Sequence, residues 1–330
     1  MNTIDQANEI FLANFKNETC FERAIFFSWY CKTRDCQFCY MSTQPKNKTK
    51  FARRTTESIL AELILCKKLG WELGFVSGGH DAYSDVEFKE LLKNINIVSG
   101  EKVWINIGAI SDKELHQFKP YIKGVVASIE TVNPDIHKKV CPSKPIKPFE
   151  DMLDSATKLG LKKAMTIILG LGETIDDFNL LKEFIQKHDI EKIHFYSLNP
   201  QKGTIFENAE MPTKEYQAEW IAMTRIAFPK INIQAGTWLD KVDNISLLLK
   251  AGANSISKFP AIKSFNSSYA KSVEEQSRQS GREFKGTLTK FIDFDIDEEV
   301  DKLNIEDKLK ENIKIKLKPY IKTIKKNEKD

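Results

Sequence analysis

Residues 162–200 read KKAMTIILGLGETIDDFNLLKEFIQKHDIEKIHFYSLNP, and their rhythm decides the fold. An apolar, β-branched run (KKAMTIILG) gives way to TIDDFNLLKEFIQKH, whose apolar positions recur at helical period, and then to a second apolar run, KIHFYSLNP. That order predicts strand, helix, strand. The runs at 123–130, 163–169 and 192–198 are almost wholly apolar or β-branched, as strands covered outside by helices should be.

Outward from this stretch the same unit recurs. Upstream, AIFFSWY (24–30) reads as a strand, and TTESILAELILCKKLG (55–70) as a helix closed by a glycine. LGFVSGG, then SDVEFKELLKN capped by Ser84, then KVWINIGAI, SDKELHQFK, GVVASIETV and KPFEDMLDSATKLG continue the alternation. Downstream, PTKEYQAEWIAMTRIAF, INIQAGTW, DNISLLLKAG and ANSISKF complete it. Eight strand candidates alternating with helices predict an α/β fold, a closed (βα)8 TIM-type barrel. We expect an N-terminal helix in 1–23 that plugs or flanks the barrel bottom, a barrel over 24–285, and a charged helical extension over 286–330.

Composition agrees with a folded globular chain. Of its 330 residues 41% are hydrophobic and 29% charged, so disorder of the body is not expected. No apolar run approaches the ~18–20 residues that span a bilayer, and MNTIDQANEI has no signal-peptide pattern. A cytoplasmic protein that binds neither membrane nor nucleic acid is expected. The net charge of +4 leans on the lysine-rich end NIKIKLKPYIKTIKKNEKD, a pattern more typical of a solvated helix or a frayed terminus.

On this scaffold the polar oddities fall after strands, at the mouth where barrel chemistry belongs. Cys31, Cys36 and Cys39 form a C-x4-C-x2-C array directly after the first strand, and SGGHD (77–81) follows the second. Asn106 and Gly108 end the third strand, Ser128 and Glu130 the fourth. GLGE (170–173), SLNPQKGT (197–204) and AGTW (235–238) follow the next three. Three thiolates on one short loop suit three irons of a cubane cluster, leaving the fourth iron open to a small molecule. A structural zinc site would want a fourth nitrogen or sulfur ligand, for which Cys20 or His80 are the alternatives. Buried thiols fit poorly in a loop as polar as KTRDCQFCYMSTQ. Cys20, Cys66 and Cys141 are scattered, and Cys66 lies in an amphipathic pattern that reads as core.

The array, with aromatic Phe38 before its last cysteine, resembles the cluster loop of the radical S-adenosylmethionine (SAM) superfamily, which usually shows C-x3-C-x2-C. Gly78 and Gly79 resemble that superfamily's glycine-rich stretch for the methionine amino group. SIET (128–131) and TIILGLGET (166–174) resemble SAM-binding motifs of the biotin synthase-like branch, with Thr166 in place of a glycine. LNPQKGT and LLLKAGANSI resemble its sixth-strand loop and end-of-barrel segment. The resemblance spans roughly residues 5–285.

It implies a [4Fe–4S] cluster on Cys31, Cys36 and Cys39, and SAM held by Phe38, Gly78, Gly79, Ser128, Glu130 and Ile168. It also implies one-electron cleavage of SAM to methionine and a 5′-deoxyadenosyl radical that abstracts hydrogen from a small-molecule substrate. The electron would come from a ferredoxin- or flavodoxin-type donor. His80, Asn106, Tyr196, Asn199 and Trp238 are substrate-side candidates; no catalytic acid or base is named. The elongated first cysteine gap resembles the radical SAM protein of iron-guanylylpyridinol (FeGP) cofactor biosynthesis, which serves the [Fe]-hydrogenase of methanogens. SIETVNP, GLGET and NPQKGT resemble hydrogenase-maturation and pyrrolysine-pathway enzymes, making a methylornithine synthase-like mutase or lyase the alternative. A non-catalytic iron–sulfur or zinc protein is the alternative of another class.

Simpler readings stand beside these. Gly78–Gly79 serves as a tight turn, Glu173 as a carboxylate at a helix start, and strand-end aromatics as packing. His116 lies on an outer helix face, and His194 alternates on a strand with no clear facing. Strand seven, INIQAGTW, lacks the cysteines and arginine that biotin synthase uses for its second cluster, which disfavours sulfur insertion. Lys138, Lys139, Lys144 and Lys147 follow the fourth strand where relatives place an arginine for the methionine carboxylate, so that partner is unassigned.

Overall fold

A computed structural model describes residues 2–44, 52–79 and 81–327. After helix α1 (Thr3–Asn14) and short strand β1 (Glu18–Cys20), barrel strands alternate with helices. The strands are β2 (Glu22–Ser28), β3 (Glu72–Gly78), β4 (Val103–Asn106), β5 (Ile122–Glu130), β6 (Lys162–Leu169), β7 (Lys192–Ser197), β8 (Asn232–Gly236) and β9 (Ser255–Ser257). Between them lie α2 (Thr56–Leu69), α3 (Asp85–Ser99), α4 (Asp112–Phe118), α5 (Pro134–Val140), α6 (Lys147–Lys158), α7 (Phe178–His188), α8 (Lys214–Ala227) and α9 (Ile245–Lys250). Helix α10 (Ser268–Gln279), β10 (Glu283–Lys285), α11 (Ile296–Asp301) and α12 (Asp307–Asn327) complete the described chain.

The eight strands β2 to β9 pair in chain order, all parallel, and a bridge from Phe21 to Ile256 returns the last strand to the first. The expected TIM-type barrel is therefore present, with all eight strand candidates in their predicted places. Local chemistry explains the boundaries. Ser84 and Ser111 close capping boxes with Glu87 and Glu114, while Gly70 ends α2 in the left-handed conformation that glycine adopts freely.

The barrel interior carries a polar layer. Lys192 on β7 donates to both Glu22 oxygens on β2 (2.8 and 2.7 Å), and Ser255 on β9 adds a third bond at 2.5 Å. His194, whose facing the sequence left open, points into this layer: Nδ1 meets Gln234 Oε1 at 2.9 Å, and its ring lies edge-on to Phe75 from β3. Burial, reinforced by the Lys192 charge, pushes its imidazole down to about 3.

Helix α1 packs on the flank, against α8 and α9, and β1 pairs in parallel with β10. The C-terminal segment is a docked element rather than a frayed one. Ile313, Leu317, Ile321 and Ile324 give α12 a buried face against α2, and the Tyr320 hydroxyl accepts from Arg54 at 3.1 Å. Among the described residues no helix is long and apolar enough to cross a membrane.

Candidate active site

A cavity of about 420 Å³ opens at the C-terminal ends of the strands. Cys31, Cys36, Cys39, Phe38, Gly78, Gly79, Asn106, Ser128, Glu130, Ile168 and Tyr196 all line it. These come from loops or strand ends around most of the barrel, and only closure of the sheet brings them together.

The cysteine loop is braced from two sides. Cys39 N–H donates to the Cys36 carbonyl (3.1 Å), and Gln37 N–H donates to the Val140 carbonyl at the end of α5 (2.8 Å). Arg34, inside the lengthened gap, adopts φ 44°, a left-handed conformation uncommon for a residue other than glycine. Gly79 backs this loop: a Cβ there would lie 1.9 Å from the Tyr30 carbonyl oxygen and 2.5 Å from Cys31 Cα. Gly78 is equally confined, since its Cβ would fall 2.4 Å from the Phe27 ring. Neither glycine needs a left-handed backbone, so close approach explains the pair better than a tight turn does.

Glu130 sits at the centre of the site's polar contacts. Lys144 Nζ donates to its Oε1 at 3.0 Å and Thr166 Oγ1 to its Oε2 at 3.1 Å, while Ser128 donates to Asn106 Oδ1 at 2.5 Å. Thr166, the substitute for a motif glycine, thus anchors the carboxylate from the next strand. Burial alone would push the Lys144 ammonium down. The Glu130 carboxylate and the thiols of Cys141 and Cys36 outweigh it and hold that ammonium above the ordinary lysine range. Glu130 and Lys258 have φ 66° and 69°, backbone strain of a kind that gathers at functional sites.

Cys141, scattered in sequence, is buried beside Cys36. Their thiol–thiol hydrogen bond, helped by the nearby Lys144, pulls the Cys36 thiol down, whereas burial pushes Cys39 up to about 11. Among the described residues no three His, Cys, Asp or Glu side chains gather tightly enough for one metal ion. Thiolates of a cubane each bind their own iron and stand farther apart, so three thiols facing one cavity suit a multi-iron group better than zinc.

The remaining candidates sit differently. Asn199 and Trp238 stand outside the lining: the Asn199 carbonyl accepts from Gln201 (2.9 Å) and Trp238 Nε1 donates to the Ser197 carbonyl (3.1 Å). His80 lies outside the described residues. Glu173 accepts from Gly170 and Leu171 N–H (2.6 and 2.9 Å), so it braces the loop before it rather than capping the helix start that the sequence suggested. Sequence reasoning did not single out Lys258, and named Lys144 only among four lysines. Both line the cavity, and no local pattern marks either one.

Comparison with known proteins agrees with this geometry. Residues 30–185 match the Radical SAM superfamily, and 195–279 match the Biotin and Thiamin Synthesis associated domain. The chain is similar to an uncharacterized protein of Methanocaldococcus jannaschii, 39% identical over 93% of this chain and 90% of that one. It is also similar to 3-methylornithine synthase of Methanosarcina barkeri, 25% identical over 73% of this chain and 69% of that one. Among solved structures, a methylornithine synthase matches with a TM-score of 0.69 at 23% identity, covering 78% of this chain and 76% of the other.

Proposed function

We infer the function from one premise: the chain belongs to the radical SAM superfamily, carries the segment associated with biotin and thiamin synthesis, and is an enzyme. Its cofactors are a [4Fe–4S] cluster and SAM. Cys31, Cys36 and Cys39 would hold the cluster. Phe38, Gly78, Gly79, Ser128, Glu130 and Ile168 would hold SAM. When bound, these groups supply one-electron cleavage of the sulfonium to methionine and a 5′-deoxyadenosyl radical able to abstract hydrogen. The chain's own residues do the positioning. Glu130 and Lys144 offer a carboxylate and an ammonium 3.0 Å apart, a match for the ammonium and carboxylate of a methionine zwitterion. Lys144 thereby takes the role the sequence left unassigned. Phe75, Ile168 and Phe26 line the cavity with apolar surface, which limits water where reactive intermediates would be lost.

The observation that carries this reading is the convergence of three thiols, the paired glycines and Glu130 on one cavity. Anaerobic reconstitution tests it. About four iron and four sulfide per chain, with dithionite-dependent release of 5′-deoxyadenosine, are expected. A colourless protein that binds zinc and never cleaves SAM would sink it.

For the pathway, we propose synthesis of the pyridinol precursor of the FeGP cofactor, supported by the elongated cysteine gap. A carbon-skeleton mutase or lyase is the second reading, favoured by the likeness to 3-methylornithine synthase. Isotopically labelled candidate substrates for each, read by label in 5′-deoxyadenosine, separate them. A small-molecule substrate and a ferredoxin- or flavodoxin-type electron donor belong to both readings.

A further inference from the structure

Two ammonium groups line the cavity among the described residues, and their circumstances differ. Lys144 is paired with Glu130. Lys258, just past β9, has no hydrogen bond or ion pair among the described residues. Its Nζ stands instead over the Tyr196 ring at 4.5 Å, Trp238 at 5.6 Å and Phe26 at 5.9 Å. Rings attract a cation but do not neutralise it. Burial accordingly pushes this ammonium down, with Glu130 and Cys39 opposing only in part.

The two groups also occupy different walls. The residues proposed for SAM come from the cysteine loop and the ends of β3, β5 and β6. The rings around Lys258 belong to β7, the end of β8, and β2. A part-buried cation with no carboxylate paired to it is costly, and it persists where a ligand brings the missing anion. We propose that Lys258 is a substrate-binding residue that receives the carboxylate of a small, otherwise largely apolar substrate lying against Tyr196 and Phe26. This rests on the reading that SAM is held by the cysteine loop and the ends of β3, β5 and β6. A single ammonium among rings suits a monoanionic carboxylate. A phosphate would call for several donors, and no arginine lines this cavity among the described residues.

Trifluoroacetate, with trifluoroacetamide as its neutral counterpart, probes the site by fluorine NMR on the anaerobically reconstituted protein saturated with SAM and kept without reductant. The wild type is expected to broaden the trifluoroacetate signal and not that of the amide. Binding should weaken by about tenfold or more in Lys258→Met and Lys258→Gln, and return in Lys258→Arg. A far-UV dichroism spectrum and urea midpoint like those of the wild type certify the fold of each variant. Equal trifluoroacetate binding in wild type and Lys258→Met, equal binding of acid and amide, or no binding by the wild type would overturn the proposal. So would a matching loss of SAM affinity in Lys258→Met, which would place the lysine on the methionine carboxylate. A shifted cluster potential with trifluoroacetate binding intact would show that it balances the cluster's charge, and would overturn the proposal too. Failure of the parent reading shows separately, as a wild type that binds neither cluster nor SAM, and the trifluoroacetate arms remain readable in apoprotein.

Discussion

At the scale of single residues, Lys144 and His194 show how neighbours decide what a side chain does. Lys144 is only 18% exposed and is held charged by Glu130. Lys144→Ala is expected to weaken SAM binding by about 10- to 100-fold, since a charge-assisted contact is lost and Glu130 is left uncompensated. Lys144→Arg should stay within a few-fold of wild type, and equilibrium dialysis on reconstituted protein reads both. His194 is held neutral, its folded value of about 3 lying below the ordinary 6.5. The unfolded chain therefore binds the extra proton between those values, so stability is fully present above pH 6.5 and is lost as pH falls towards 3. Urea unfolding of the apoprotein at pH 7 and pH 5 should show a decline steeper than that of His194→Gln by about 1–2 kcal/mol.

At the scale of elements, the cysteine loop and the glycine loop after β3 are one unit. Arg34 takes a left-handed conformation in the first loop, and Gly79 lets the second press against that loop with no Cβ between. Gly79→Ala must displace the backbone at Tyr30 and Cys31, since 1.9 Å to a carbonyl oxygen leaves no accommodation by side chains. Bound iron after reconstitution should fall by about half or more while the far-UV dichroism stays that of a folded barrel. Full iron loading in this variant would show that the close approach does not position the cluster loop. The cysteine spacing and the glycine pair were both legible in sequence, because each is a local pattern. Their contact was not, because parallel pairing of β2 with β3 creates it.

At the scale of the whole molecule, barrel closure joins residues that no local rule connects. The Glu22–Lys192–Ser255 contacts cross the interior from β2 to β7 and β9. Lys192→Met should cost about 3–5 kcal/mol in urea unfolding, as it strands a buried carboxylate, and adding Glu22→Gln should recover most of that loss. The sequence by itself determined the eight-strand alternation, the three thiols on one loop, and the glycine, serine and glutamate positions at strand ends. Those features are written in periodicity and short spacing, which contiguous residues carry. Only the tertiary structure decided that Glu130 pairs with Lys144 and Thr166, that Cys141 sits beside Cys36, and that Lys258 stands in a ring of aromatics with no ion pair among the described residues. Electrostatic partnership depends on distance in space, and at the barrel mouth closure of the sheet sets that distance.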